Sequence, residues 1–497
     1  MKGRHARFRA PKRWTDAVRQ ALFVVMGISL NMASLGAVMG FTAILLPQLR
    51  APDSMVKVDN VSGSWIASIV GLSLIVGNLM VPTLMGKFGR KVASLISCSI
   101  ILVFWLCIAL ATSVTVILIA RAFQGLSMGI NLSLSPIMIG ELTSPSNRGI
   151  FSSIMTSSIT AATLMVHIVG SYVAWETTAI ICAFVSFISL AILVFSPESP
   201  SWLADKGKFE ESRKSFRWLR GEAEDEELEQ MLEARKVREE IVKTTKQDYN
   251  IINYIKEAFS RREFYKPVFI MIHLYTLSLW TGMAFLIVYT VDIIKAIVGE
   301  DADVALHITV LDIQRMISTI IGLIVIKKIK RRTVLFVTVG INFAALVLIA
   351  AYTFVRAKTV LPFDHPAIGI ILLHIHMFSV TTGALPLPII ISGELFPLEF
   401  RSLAGGISAI AFSLNYFLTS KTVLVLLNSM GLYGAYTLYA AVTLYCVVVI
   451  WIMLPETKDR TLQDIEDEFR GKPKFKSEDN VSMPLTVNGK SNLDEEA

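Results

Sequence analysis

The sequence predicts an all-α membrane protein, with twelve transmembrane helices in two parallel six-helix bundles and a cytoplasmic helical insert between them. Three observations carry this prediction. Of 497 residues, 53% are hydrophobic and 18% charged, with a mean hydropathy of +0.58, so the bilayer is the natural solvent. Stretches without a charge recur along the chain, each near the roughly 20 residues a helix needs to cross about 30 Å of hydrocarbon. Short polar motifs that follow particular stretches in the first half return in the same order in the second.

The elements follow in order. Residues 1–20 form a basic N-terminus in which Lys2, Arg4, Arg7, Arg9, Lys12, Arg13 and Arg19 precede the first span. The positive-inside rule places this end in the cytoplasm, and an even number of spans returns the C-terminus there. It lacks the small-residue cleavage site of a signal peptide. The first bundle, 21–200, holds spans near 21–46, 64–85, 92–112, 114–139, 150–173 and 176–196. A linker at 201–265 follows, with the charge run Glu222-Ala223-Glu224-Asp225-Glu226-Glu227 and the spacing of short amphipathic helices. The second bundle, 266–455, holds spans near 267–291, 304–326, 333–355, 367–392, 402–427 and 432–454, and a polar cytoplasmic tail occupies 456–497.

Several function classes find no support. Net charge is +7, but the basic residues flank spans instead of lining a soluble face, so nucleic acid is not an expected partner. Cys98, Cys107, Cys182 and Cys446 all fall within spans, where a thiol acts as a small apolar side chain; neither a disulfide framework nor a metal site is implied. No nucleotide-binding loop and no Ser-His-Asp or Cys-His constellation is visible, so neither an enzyme nor a cofactor is expected. Asn60-Val61-Ser62 lies in the first outer loop and makes Asn60 a glycosylation candidate, whereas Asn480-Val481-Ser482 has a cytoplasmic address.

The repeat is the most informative feature. Gly140-Glu141-Leu142 is followed by Arg148, and Gly393-Glu394-Leu395 by Arg401, with seven residues from acid to arginine each time. Gly89-Arg90-Lys91 answers to Lys330-Arg331-Arg332, and Pro197-Glu198-Ser199 to Pro455-Glu456-Thr457. Parallel halves of this kind build an alternating-access carrier with its substrate held between them. Arg90, Glu141, Arg148, Glu198, Arg331, Glu394, Arg401 and Glu456 are therefore the candidate gating network at the cytoplasmic mouth.

With these motifs stand Ser64-Trp65-Ile66, Arg121 through Gly125 (RAFQG), Phe216 through Gly221 (FRWLRG), Tyr289-Thr290-Val291 and Leu454 through Leu462 (LPETKDRTL). In this order they resemble the sugar-porter family of the major facilitator superfamily, and within it the insect trehalose and glucose carriers. The resemblance spans the first span to about residue 469 and implies the major facilitator fold, a monomeric carrier in the cell membrane and facilitated diffusion of a sugar, trehalose or a hexose. On the family's sugar-contacting positions this chain places Thr156, Ser278, Leu279, Ala284, Ile389 and Asn415, where the family usually has amides and an indole. Thr156, Ser278, Thr281, Tyr289, Arg315 and Asn415 are the candidate substrate contacts. Three readings stay open: a sugar held by these other groups, another polar solute such as a glycoside or polyol, and a non-transporting sensor on the same fold.

Charged residues inside spans are costly and mark function or pairing. Asp312 and Arg315 are three apart and share a helical face, so they can neutralise one another, or Arg315 can meet an electronegative group of the solute. His167, His273, His374 and His376 have no acidic partner at helical spacing and read as satisfied polar residues. The first span, Ala21 to Pro47, contains no acid, which favours uncoupled transport.

Overall fold

Long apolar runs become helices in a bilayer because every backbone N–H and C=O must find its partner within the segment. The computed structural model describes residues 16–471, apart from 145–146, 245–250, 300–302, 359–364, 398, 459 and 461. The first bundle comprises α1 (Asp16–Arg50), α2 (Asn60–Phe88), α3 (Arg90–Ala109), α4 (Val114–Leu142), α5 (Arg148–Tyr172) and α6 (Trp175–Phe195). The insert follows as α7 (Pro200–Asp205), α8 (Phe209–Arg220), α9 (Asp225–Thr244) and α10 (Ile251–Ser260). The second bundle comprises α11 (Arg262–Trp280), α12 (Met283–Val288), α13 (Thr290–Val298), α14 (Val304–Lys328), α15 (Arg331–Lys358), α16 (Pro366–Ser379), α17 (Pro386–Leu395) and α18 (Arg401–Met453). A short α19 (Leu462–Arg470) packs on α11 through Ile465 and Phe469, with Arg470 paired to Glu263 at 3.2 Å.

Eleven helices among the described residues are long and apolar enough to cross a membrane. The 53 residues of α18 would measure about 80 Å if straight, more than twice a bilayer. Gly431 breaks it, with φ 71° and ψ −178°, into the eleventh and twelfth spans. This is a multi-pass membrane protein of twelve spans.

Two expected spans are not continuous. The seventh is interrupted after α11, where Gly282 has φ 93°, and again at Tyr289. The carbonyl freed at Thr281 is capped by His376 Nε2 at 2.7 Å and by the Asn342 amide at 3.3 Å, both from other helices. Such breaks survive in a membrane only where neighbouring helices satisfy the released groups. The tenth span likewise passes through one π-helical turn, Val380–Ala384, between α16 and α17.

Small residues let the helices approach. A Cβ on Gly36 of α1 would sit 1.9 Å from the Ile159 carbonyl of α5, so these backbones touch, as membrane helices do when small residues line the seam. The insert has its own small core of Ala204, Phe216, Leu228 and Leu232. Arg220 fastens it to the first bundle, its guanidinium donating to the Thr143 carbonyl at the end of α4 at 2.8 Å while also pairing with Glu227 at 2.9 Å. From the other side, Arg261 holds Glu399 of the second bundle at 3.0 Å.

Candidate functional site

At one face of the molecule each bundle ties its helix ends with the same joint. In the first, Arg90 at the start of α3 donates Nε and Nη2 to the two oxygens of Glu141 at the end of α4, at 2.9 and 2.7 Å. This is the bidentate geometry that makes arginine–carboxylate pairs strong. The Ser199 hydroxyl donates to the same carboxylate at 2.5 Å. Glu198 accepts from the backbone N–H groups of Arg90, Lys91 and Ser199 at 2.9, 3.1 and 2.7 Å, so it caps the start of α3. Burial nevertheless pushes the Glu198 carboxyl above its ordinary range, against the pull of those donors and of the Arg90 charge.

The second bundle repeats this plan with a single-bonded arginine, Arg331 turning Nη1 to the Ile326 carbonyl at 2.7 Å. Arg331 pairs with Glu394 at 3.0 Å, the Thr457 hydroxyl donates to Glu394 at 2.6 Å, and Glu456 accepts from the N–H groups of Arg331, Arg332 and Lys458 at 3.0, 3.2 and 3.0 Å. Both joints lie within a bundle and neither spans the two. The arginines seven residues after each acid stand apart from the carboxylates: Arg148 is exposed, and Arg401 turns to the Gly393 and Phe396 carbonyls at 3.4 and 3.5 Å.

Contacts between the bundles run from the middle of the spans to the face opposite those joints. The innermost joins Asn78 of α2 to Ser413 of α18 at 3.1 Å, with the Ser133 hydroxyl of α4 donating to Asn78 at 2.8 Å. Asn78 lies ten residues, about 15 Å, from the charged end of α2. Farther out the Ser64 hydroxyl donates to the Lys421 carbonyl at 3.2 Å, and the Lys421 ammonium stands 3.8 Å over the Trp65 ring. A Cβ on Gly71 of α2 would meet the Phe417 backbone nitrogen at 2.6 Å, so the seam has no spare room. Arg50 at the end of α1 reaches Asp292 of α13 at 3.5 Å. On the other side of the molecule His167 of α5 meets Asp312 of α14 at 2.5 Å, and Arg315 holds Asp312 at 3.2 Å.

The candidate solute contacts fall in different settings. Thr156 is half-buried on α5, its hydroxyl donating to the Ser152 carbonyl. Ser278 and Thr281 are buried at the end of α11, and the Thr281 hydroxyl is spent on the Ser278 carbonyl at 2.8 Å. Tyr289 is buried at the second break, donating to the Ser420 carbonyl at 3.3 Å. Asn415 is half-buried and accepts from the indole N–H of Trp280 at 3.0 Å. Arg315, 2% exposed, belongs to the inter-bundle pair with Asp312. Asn60 is exposed at the first turn of α2, whose cap is Asp59; Asn480 lies outside the described residues.

Two partnerships escaped the sequence. Trp280 follows the aligned positions 278 and 279 directly, and its polar edge finds Asn415 on a helix 135 residues away. His167 has an acid, but 145 residues away, beyond the reach of helical spacing. His374 is bonded to Gln314, and His376 Nε2 to the Thr281 carbonyl, while His376 Nδ1 is buried without a hydrogen-bond partner.

A family described as sugar (and other) transporter matches residues 21–469. The chain belongs to this family. Its relatives within it include the facilitated trehalose transporter Tret1 of Apis mellifera ligustica, 28% identical over 97% of this chain and 95% of the relative, and Tret1 of Bombyx mori, 24% identical over 91% and 86%. Among solved structures, the family member is similar in fold to the xylose transporter XylE from E. coli in a partially occluded inward-open conformation, with a TM-score of 0.71, 16% identity, and coverage of 89% of this chain and 100% of XylE. The twelve spans thus share the fold of XylE.

Proposed function

We propose that this chain is a facilitative carrier that moves a sugar, trehalose or a hexose, by alternating access, and that it is a transporter and not an enzyme. The observation that carries the reading is the division of contacts. Inter-bundle bonds close the outer half, while the duplicated joints at the charged face each tie one bundle to itself. Two internally rigid bundles that meet at one face are the parts a rocking carrier needs. The relatives named as facilitated trehalose transporters support a sugar as solute.

Uncoupled transport is supported by α1, which has no acid between Ala21 and Pro47. The buried Arg121 facing that helix is held by the Val38 carbonyl at 2.9 Å, the Thr42 hydroxyl at 2.5 Å and Gln124 at 3.1 Å. In this reading the charged face is cytoplasmic, both termini lie on that side, the carrier works as a monomer in the cell membrane, and Asn60 faces outward for glycosylation. The functional units are then the basic 1–20, the bundles 21–200 and 266–455, the linker 201–265 and the tail 456–497. Thr156, Ser278, Trp280 and Asn415 are the solute contacts we favour in the central region, and Arg90–Glu141 and Arg331–Glu394 the joints that keep each gate-forming bundle rigid.

A second reading is a different polar solute such as a glycoside or polyol, and one feature favours the less polar of these, the glycoside. Ser278 and Leu279 stand where the family has paired glutamines, and each unmade bond to a buried hydroxyl costs about 1–3 kcal/mol. Uptake of labelled glucose, trehalose, fructose, a polyol and a glycoside by cells expressing the chain at their surface decides between them. Saturable sugar uptake, unchanged when the imposed proton gradient is collapsed, is the expected result. Uptake of the glycoside alone would replace the sugar, and no uptake of any member of the panel would favour a sensor.

A further inference from the structure

Where α10 turns into α11, an apolar groove of about 530 Å³ lies on the flank of the second bundle. Its wall is formed by Phe259 of α10, Val268, Phe269 and Ile272 of α11, and Met453 at the end of α18. Tyr265 and Lys266, near the start of α11, complete it. Phe259 and Phe269 are exposed, yet Phe259 is held edge-on to the buried Phe264 with ring centroids 5.1 Å apart. The inner side of α10 is anchored as well, through buried Ala258 and through the Tyr254 hydroxyl, which donates to the Glu399 carbonyl at 3.0 Å. The groove is thus a built surface, and its carbon wall offers nothing to a hydroxylated solute.

The rim carries charge of one sign. Arg262 and Lys266 are four apart on α11 and share a helical face, and Lys256 stands one turn before Phe259 on α10. Among the described residues none of the three has an ion-pair or hydrogen-bond partner for its side chain. The acids nearest in sequence are already engaged: Glu257 pairs with Arg261, Glu263 with Arg470 at 3.2 Å, and Glu399 with Arg261 at 3.0 Å. Three cations therefore border an apolar groove with no carboxylate left to neutralise them.

The groove also has a direction. Lys266 lies at the charged end of the span, and Ile272 stands about 9 Å farther along the helix axis, toward the middle of the bilayer. An occupant must be anionic at one end and apolar along its length. A phospholipid with a net negative headgroup has that shape and charge, and basic clusters beside a span attract such lipids. The chain's own tail does not complement the rim, since it begins Lys472-Pro473-Lys474-Phe475-Lys476 and is basic itself.

We propose that this groove binds an anionic phospholipid of the cytoplasmic leaflet, with an acyl chain against Phe259, Phe269 and Ile272 and the headgroup phosphate held by Arg262 and Lys266. Lys256 adds to the attraction from the side of the insert. A lipid seated there touches α10, α11 and the end of α18 at once, so it fastens the insert to the second bundle. The name of the leaflet rests on the reading that the charged face is cytoplasmic; the binding site does not.

The test is native mass spectrometry of the full-length chain purified in detergent, titrated with phosphatidylserine or with phosphatidylcholine of the same acyl chains. Phosphatidylserine adducts are expected to be retained severalfold more. In the double variant Arg262→Gln, Lys266→Gln this preference should disappear, while Lys87→Gln with Lys327→Gln, which removes two exposed charges from the same face away from the groove, should keep it. Ile272→Trp, which fills the groove, should lower phosphatidylserine retention severalfold with the charges intact; if it fails to accumulate, Met453→Trp is read in the same way. Equal retention of the two lipids by the parent chain overturns the proposal. So does a preference that survives the Arg262, Lys266 variant, one lost equally in the Lys87, Lys327 control, or retention unchanged by the groove-filling variant. A lipid preference in a chain that takes up no member of the solute panel would leave the site standing, and a transporting chain without the preference would lose the site and keep the transport reading.

Discussion

At the level of single residues, the Asp312 cluster shows why a buried charge is better judged by its partners than by its helix. Replacing Asp312 by Asn leaves Arg315 buried and unpaired, and breaking a buried pair this way costs about 3–5 kcal/mol. A drop in thermal stability of the detergent-purified protein should report it, and Asp312→Asn combined with Arg315→Gln should recover part of the loss. Trp280→Phe, which keeps the ring and deletes the N–H given to Asn415, is expected to raise KM for the transported solute severalfold with little change in surface expression; uptake kinetics test this. The sequence carried the Asp312–Arg315 half of the cluster because three-residue spacing puts both on one helix face. It could not carry His167, whose approach depends on how two bundles meet. The same limit hid the Trp280–Asn415 bond, while Glu141 and Glu394 were legible because each sits in a duplicated motif, though their partners turn out to be Arg90 and Arg331.

At the level of elements, spans were legible and their interruptions were not. Hydropathy reports that a segment is apolar, and residues 267–291 run through both breaks without an Asp, Glu, Lys or Arg, so the breaks at Gly282 and Tyr289 leave no trace in it. What permits the breaks is the capping of the Thr281 carbonyl by His376 and Asn342, contributed by α16 and α15. The seam between α2 and α18 makes a sharper prediction. Gly71→Ala places a methyl against the Phe417 backbone, which cannot swing aside as a side chain would. Ala305 of α14 lines a cleft between the bundles, and labelling of Ala305→Cys from outside by a membrane-impermeant maleimide should therefore rise in Gly71→Ala, because the closed seam is the state that suffers. The insert depends on a few polar clamps, and Arg220→Ala is expected to loosen α8 from the end of α4, seen as faster hydrogen exchange of residues 209–220 with the spans unaffected.

For the whole molecule, the duplicated joints predict independence. Arg90–Glu141 and Arg331–Glu394 share no partner and belong to different bundles, so the stability losses of Glu141→Gln and Glu394→Gln should add within about 0.5 kcal/mol in the double variant, as thermal unfolding would show. Coupling well beyond that would mean the bundles communicate through these ends. The overall plan of two sets of six was legible because it is written twice, whereas which face is shut was not, since both states of a rocking carrier use one sequence. Gly431 has a further consequence, for biogenesis. The last two spans turn back on a single residue with positive φ and not on a loop, so no slack separates them as they leave the ribosome. The eleventh span has no room to settle across the bilayer before the twelfth begins, and the two should insert as one hairpin. A side chain at 431 would strain that reversal during synthesis, so Gly431→Val is expected to lower the yield of membrane-integrated protein more than it impairs molecules that have already assembled.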